Sequence, residues 1–521
     1  MKMDENFLRY SSLDAACTLE AHDKFWEHLS PTFMPANDLT MSILPVLMFM
    51  QTRGIRVNKA SLDETKVEVL KSAAEKQEEL DALCKRKLNV NSPKDCQAYF
   101  YDELGIPPYR NAEGRSTVDD MALQRLVRGT VARPGLRQAK LVQEIRGLQK
   151  LYGTYLNLEF DSDGRMRGSY NPRGTKFGRL SSSKTIFGTG TNFQNLPQEF
   201  KKFLVADEGY VFVEVDKRQA EWVAVAYLTG DANMISAIEQ GVDVHTHTAS
   251  LMFDVANDVI KLDHKACGHT TDGKAIESTR ASILEITKAR RDSAKQWPRT
   301  MSLRQCGKKS NHGLNYGEGV NGFAMINEID QAEAKRIVTM YHTIYPGIRI
   351  WYESIKRQLQ KDRTLTNCFG RSVRFLGAWG DSLWKSAYSM LPQSTVVDGL
   401  NQGMERIYED PEICGVTGAN ADVLAQVHDS VLMQVPISFM RNEKNFNWLI
   451  EKIKDYTSPE MHYSGRTFKI ASDFKFGLNW GGFDKEKNLN GMQEFEDYES
   501  FMKALQGWEN TGGEGTLGLA G

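Results

Sequence analysis

Cysteine is scarce: seven in 521 residues, an odd number spread from Cys17 to Cys414 with no Cys-x-x-Cys pair, which excludes a disulfide framework and fits reduced, buried thiols. No charge of one sign dominates. With 65 Lys and Arg against 67 Asp and Glu, the net charge of -2 excludes a histone-like protein that coats polyanions by bulk charge. Long apolar runs are missing too. The longest, residues 41–50, is interrupted by Ser42 and Pro45 and is about half of what a bilayer span needs, so it reads as buried core and no membrane association is expected. The opening MKMDENF has a lysine but no apolar stretch after it, so no secretory leader is read and a cytoplasmic protein is expected. There is no internal repeat. What is present is ordinary for a soluble globular chain, 41% hydrophobic and 25% charged residues, which excludes collagenous, mucin-like and wholly disordered classes. At roughly 100 to 200 residues per domain the length suggests about three or four folding units.

The neutral total hides two basic stretches. Residues 133–202 carry 13 Lys and Arg against 5 acids, and residues 280–309 carry 9 against 2. A groove for a polyanion needs such local surpluses, although solvated helix faces would produce them equally well. Residues 41–158 show helical periodicity, and Asn91-Ser92-Pro93 is a cap-then-proline start. Residues 164–197, rich in Gly, Ser and Asn, read as short strands and loops. Residues 210–215 form a β-branched and aromatic run that predicts a buried strand ending at Asp216, followed by a helix from Gln219 to Leu228 that Thr229-Gly230-Asp231 stops. Two further strands, residues 423–427 and 431–435, have only His428-Asp429-Ser430 between them, a tight hairpin signal. Residues 484–521, with 8 acids against 3 bases and the ending TGGEGTLGLAG, read as a flexible acidic tail.

Asp216 and Asp429 both stand where strands end. A fold joining those ends would place two carboxylates a few ångströms apart, a self-repelling pair that divalent cations such as Mg²⁺ relieve. Two turn-capping aspartates are the plain alternative. A third element is Arg304, Lys308, His312 and Tyr316, spaced every four residues. At 100° per residue each step drifts by about 40°, so the four share one broad helix face. Two cations for a triphosphate and two rings for base and sugar suit a nucleotide, arginine offering a planar fork and lysine a point charge.

In these residues the stretch 175–480 resembles the polymerase region of family A DNA polymerases. Asp216-Lys217-Arg218-Gln219-Ala220-Glu221-Trp222-Val223 is similar to the first family motif, and Asp243-Val244-His245-Thr246 to a downstream element. Arg304, Lys308, His312, Tyr316 and Gly317 match the second motif, and Val427-His428-Asp429-Ser430 the third. Gly178-Arg179-Leu180-Ser181-Ser182, Asn192 to Pro197, Phe369-Gly370-Arg371, Gln393 and Gly477-Leu478-Asn479-Trp480 also fall in family order.

The resemblance implies an α+β, right-hand polymerase fold with a helical thumb (41–160), an antiparallel β palm (161–230 and 377–483) and helical fingers (231–376), after a remnant of an exonuclease domain (1–40). It implies primer extension with deoxynucleoside triphosphates through two Mg²⁺ ions held by Asp216, Asp429 and the backbone carbonyl of Lys217. Arg304, Lys308, His312 and Tyr316 would bind the nucleotide, and Glu221 would block a ribose 2′-hydroxyl. Arg179, Gln393, His428 and Lys385 would touch primer-template DNA. Departures from the family pattern are Ser430 for the usual acid, His312 for the usual Phe or Tyr, Val223 for Arg and Lys385 for Arg. The basic segment 254–299 is longer than the family needs and is expected to add a DNA contact, while His264, Cys267 and His269 within it form a short zinc-like cluster without a partner pair. Tyr10 and Asp14 match the Y-x-x-x-D that closes the family's proofreading site, and the other exonuclease carboxylates would lie upstream, so proofreading is expected to be absent from this chain. Expected partners are primer-template DNA and dNTPs, with a separate 3′–5′ exonuclease polypeptide or a processivity factor as further candidates. A phage source, acting in bacterial host cytoplasm, is expected from the compact chain. Alternatives are a single-subunit RNA polymerase-like enzyme and a catalytically inactive DNA-binding scaffold.

Overall fold

The computed structural model describes residues 5–28, 30–111, 113–129, 133–268, 276, 278–283, 297–298, 301–327 and 329–510. The first described element is helix α1 (Glu5–His28), with Leu13, Leu19 and Phe25 in solvent. The stretch Pro31–Arg53 that follows is long and apolar enough, by length and composition alone, to cross a membrane. It is broken at Ile43, and its second half, helix α2 (Leu44–Arg53), buries Val46, Leu47 and Met50 against a sheet, as the apolar run predicted.

Gly54, at φ +63, ends α2 and turns the chain into strand β1 (Ile55–Val57), three residues that the helical periodicity around them conceals. Asn58 then caps helix α3 (Lys59–Cys84) by accepting from the Ser61 amide. The predicted Ser92 cap and Pro93 start are present. Helix α4 (Arg137–Lys150) packs back along α3 and runs into a π-helical segment, Leu151–Leu156. Strands β2 (Arg165–Met166) and β3 (Leu204–Val205) flank β1 in a small antiparallel sheet.

The main sheet has β4 (Tyr210–Lys217), β5 (Asp422–Val427), β6 (Ser430–Pro436) and β7 (Ser472–Gly477), in the antiparallel order β7-β4-β6-β5. The predicted strand therefore runs one residue past Asp216, and the predicted hairpin is present. Val211, Val213 and Val215 are fully buried, while Glu214 and Asp216, on the other face, are half-buried. Full burial of each valine is worth about 1.5–3 kcal/mol, which fixes the register and hence the face on which Asp216 stands.

Gln219, in the left-handed region at φ +49, turns β4 into helix α5 (Ala220–Thr229), which Gly230 (φ +67) ends, again as predicted. Helices α6 (Val244–Phe253), α7 (Asn257–Cys267) and α8 (Leu303–Leu314) pack together in a second, helical core that holds Trp222, Tyr341 and Tyr345. The long helix α9 (Asp381–Glu409) joins this core to the sheet. A third core, Leu80 to Ile145, closes on itself at the far end of α3.

The expected flexible tail needs correction. Helix α10 (Tyr498–Asn510) occupies much of it and buries Phe501, Leu505 and Trp508 in the sheet core. Those residues stand at i, i+4 and i+7, so an apolar stripe outweighs the acidic composition. Residues 511–521 of that expectation lie outside the described residues.

Candidate active site

Asp216 near the end of β4 sits between two strands. Ser430 of β6 and Asp473 of β7 are its cross-strand partners, and partners directly opposite share a face. Asp429 occupies the hairpin turn just before Ser430, and its backbone carbonyl accepts from the Lys217 amide at 3.1 Å. The register thus brings the two predicted aspartates to neighbouring strand ends. His428 beside it is exposed, with a left-handed φ of +52, a conformation costly for a non-glycine residue. Gln194 holds the turn: its Oε1 accepts from the His428 amide at 2.9 Å and its Nε2 donates to the Gln426 carbonyl at 3.0 Å.

Both carboxyls are under-neutralised. Burial, reinforced by Glu214, Asp429 and Asp473 against the opposing charge of Lys475, pushes Asp216 up to about 6. Burial likewise raises Asp429, against the pull of Arg179. Asp429 Oδ1 is buried without a hydrogen-bond partner, and the guanidinium Nη2 of Arg179 stays 3.9 Å away. A buried acceptor without a donor, beside a second electron-rich carboxylate, suits hard divalent cations. Among the described residues there is no cluster of three or more His, Cys, Asp or Glu that could hold a metal, and Ser430 follows Asp429 where the resemblance implies a further acid. The Lys217 side chain leaves by the opposite face. Its buried Nζ donates to the carbonyls of Thr457 and Ile470, and desolvation lowers it to about 7.

From Asp429 a chain of contacts leads to the cationic helix. Arg179 also donates to Glu221 Oε1, and the Tyr316 hydroxyl donates to Glu221 Oε2. Burial, with the Glu221 charge, holds the Tyr316 phenol well above its ordinary range, so it is a donor throughout. Tyr316 lies just beyond the C-terminus of α8 rather than inside it, which corrects the expected four-residue helical run; Arg304, Lys308 and His312 are on the helix. Lys308, His312, Tyr316, Glu318 and Lys385 line a cavity of about 720 Å³. Burial lowers the His312 imidazole, whose ring centroid is 5.9 Å from that of His245. Arg304 does not line this cavity; its Nε and Nη2 are held by Asp243. Gln393 follows Pro392 inside α9 and is half-buried.

Sequence reasoning gave no role to Asp243, His245, Gln194 or Glu318, although the Asp-Val-His-Thr element was a visible signal for the first two. The zinc-like cluster does not assemble in the described part: His264 Nδ1 is 3.1 Å from Ser302 Oγ, Cys267 donates to Asp263, and His269 lies outside the described residues. Arg280, counted in the second basic stretch, is spent internally. It bonds Asp263 at 2.9 Å and the carbonyls of Pro298 and Met301, so it is no DNA contact.

Helical lobes thus surround an antiparallel sheet that carries two carboxylates at neighbouring strand ends, linked through Arg179, Glu221 and Tyr316 to a cationic helix. The model of DNA polymerase family A matches residues 59–268 and 280–481, and the chain belongs to that family. The interruption at 269–279 falls in the segment that the sequence marked as longer than the family needs. DNA polymerase I, thermostable, from Thermus filiformis is 28% identical over 418 residues, covering 75% of this chain and 42% of the relative. DNA polymerase I of Pseudomonas aeruginosa is 24% identical over 446 residues, 82% of this chain and 43% of that one. The chain thus spans under half the length of these relatives. Among solved structures, the POL domain of Pol1 from M. smegmatis, in complex with DNA primer-template and dNTP, has the same fold at a TM-score of 0.66 and 23% identity, covering 85% of this chain and 70% of that one.

Proposed function

We propose that this chain is a template-directed DNA polymerase that extends a primer 3′-hydroxyl with deoxynucleoside triphosphates. The observation that carries the reading is the convergence of Asp216 and Asp429, distant in sequence, at adjacent strand ends, with a buried oxygen of Asp429 unpaired. Asp216, Asp429 and the Lys217 carbonyl would hold two Mg²⁺ ions, which supply activation of the attacking hydroxyl and charge stabilisation at the leaving pyrophosphate. Lys308 sits at the cavity wall as a point charge for the triphosphate, and Arg304 one turn earlier offers a fork. Tyr316 and Arg179 fix Glu221 from both sides, so the Glu221 carboxylate is a rigid wall where a ribose 2′-hydroxyl would need room. Gln393, His428 and Lys385 would contact primer-template DNA. Residues 41–160 would serve as thumb, 161–230 and 377–483 as palm and 231–376 as fingers.

The test is extension of a primed template with Mg²⁺. Wild type should incorporate deoxynucleotides in preference to ribonucleotides, and Asp216→Ala or Asp429→Ala should abolish extension while primer-template affinity stays nearly intact. Substantial synthesis by either variant overturns the metal assignment, and ribonucleotide preference or initiation on unprimed DNA overturns the class. The same proposal has the purified chain leave a mismatched primer end in place; release of the mismatched nucleotide contradicts it.

A further inference from the structure

Arginine is a poor nucleotide ligand while it is free to rotate, since ordering its side chain costs up to about 2 kcal/mol of rotamer entropy. Arg304 is already ordered. Its Nε donates to Asp243 Oδ2 at 2.9 Å and its Nη2 to Oδ1 at 3.0 Å, a two-point pair that fixes the guanidinium plane and leaves Nη1 outside the pair. Asp243 is itself immobilised. It caps α6 by accepting from the Thr246 amide at 2.9 Å and from the Thr246 hydroxyl, and it accepts from Gln219 Nε2 at 3.4 Å, the residue that turns β4 away from Asp216. Although burial works to raise it, the bonds from Arg304 and Thr246 and the Arg304 charge hold the Asp243 carboxyl below its ordinary range.

The helices carrying the pair are locked together. A Cβ on Gly307 would come within 2.4 Å of the His245 carbonyl, so the two backbones touch there, three residues beyond Arg304 and two beyond Asp243. Asn311 adds a bond to His245 Nδ1 at 3.1 Å and accepts from Thr248 at 3.1 Å. Asp243 and Arg304 are each only about a quarter exposed, yet a pair of this exposure contributes little to stability. What the geometry supplies is direction.

We propose that Asp243 is a positioning residue for nucleotide binding: by gripping one edge of the Arg304 guanidinium it aims the remaining edge at the incoming triphosphate. This rests on the polymerase reading above. The opposite arrangement, in which Asp243 competes with the triphosphate for Arg304, would make the pair inhibitory.

Single-nucleotide incorporation on a primed template separates these cases. Asp243→Asn keeps the helix cap, because Asn caps as well as Asp, so its melting temperature should stay close to wild type. Its KM for dNTP should rise about tenfold, ~1.4 kcal/mol, with kcat within about twofold. Asp243→Ser, another good cap, should do the same and stands in if the Asn variant folds badly. In a double-mutant cycle, Asp243→Asn with Arg304→Ala should be no worse than Arg304→Ala alone. An unchanged or lower KM, additive effects in the cycle, or an Arg304→Ala variant with normal KM each overturns the inference. If wild type incorporates no nucleotide, the polymerase reading fails and this falls with it; if wild type and Arg304→Ala behave as expected and only the Asp243 variants do not, the inference alone fails.

Discussion

Phe501 gives the sharpest test of how the sheet is held. Its ring is fully buried on α10, with centroids 5.1 Å from Phe446, 5.2 Å from Phe476, 5.8 Å from Phe495 and 6.5 Å from Trp508. Phe446 belongs to the helix Glu443–Thr457 and Phe476 to β7, so this cluster ties the edge strand beside Asp216 to the rest of the domain. Phe501→Ala removes a ring that four other rings enclose and that rigid strands prevent from collapsing, which places the cost near the upper end of the usual 3–5 kcal/mol for such changes. Loss of edge-to-face and stacked pairs, each about 0.5–1.5 kcal/mol beyond area, points the same way. Denaturant unfolding followed by tryptophan fluorescence measures it, with Lys503→Ala on the exposed side of the same helix as the control, expected within about 0.5 kcal/mol of wild type. If Phe501→Ala costs no more than Lys503→Ala, the C-terminal helix is not part of the core.

Lys308→Ala should lower kcat/KM for dNTP by roughly ten- to hundredfold, the effect of losing a hydrogen bond to a charged group worth about 1.5–3 kcal/mol; an unchanged kcat/KM removes Lys308 from the site. Asp398→Ala should cost about 3–5 kcal/mol in thermal or chemical unfolding, because it strands the buried Arg371, whose Nε and Nη2 bond both carboxylate oxygens at 2.7–3.0 Å, and a loss below about 1 kcal/mol would show that the guanidinium finds water. Asp207 lies between Arg53 and Arg165. Burial works to raise its pKa, but bonds from Gln434 and Arg53 and the charges of both arginines bring it below the ordinary 3.8. A depressed carboxylate contributes stability above its unfolded pKa and loses it as pH falls through the folded value. Asp207→Asn should therefore be less stable than wild type at pH 7, with the gap closing below about pH 4 in urea titrations; a gap independent of pH would exclude the ion pairs as its source.

The elements that position the carboxylates were legible because local patterning and tertiary burial agree there. The run of residues 210–215 has the β-branched character of a strand buried on one face, and two apolar runs separated by so few residues can hardly avoid a hairpin. The four-residue spacing of Arg304, Lys308 and His312 needed only a helix to become a face. Three things were not legible. The acidic composition of residues 484–510 masked the 501, 505, 508 stripe, because composition averages over faces that a helix separates. The pairing of Arg304 with Asp243, 61 residues away, depends on how α6 and α8 dock, and no periodicity encodes docking. Arg371 appeared in order with the family motifs, yet its role in this chain is to neutralise Asp398 inside the core, which only burial reveals.

The closed third core at the end of α3 has a mechanical consequence. Helix α3 has 26 residues, and at ~1.5 Å each it is a strut about 39 Å long with its own small body at the tip. Its return limb, α4, ends in the π-helical segment Leu151–Leu156, where the regular hydrogen-bond ladder changes pitch. Leu62 and Val69 hold the first part of α3 in the sheet core, so the ~15 residues beyond them project about 22 Å, and flexing of ~10° there would swing the tip through roughly 4 Å without breaking a contact inside it. Stiffness at the far end and a change of pitch at the root make this projection a lever that would move while Asp216 and Asp429 stay still.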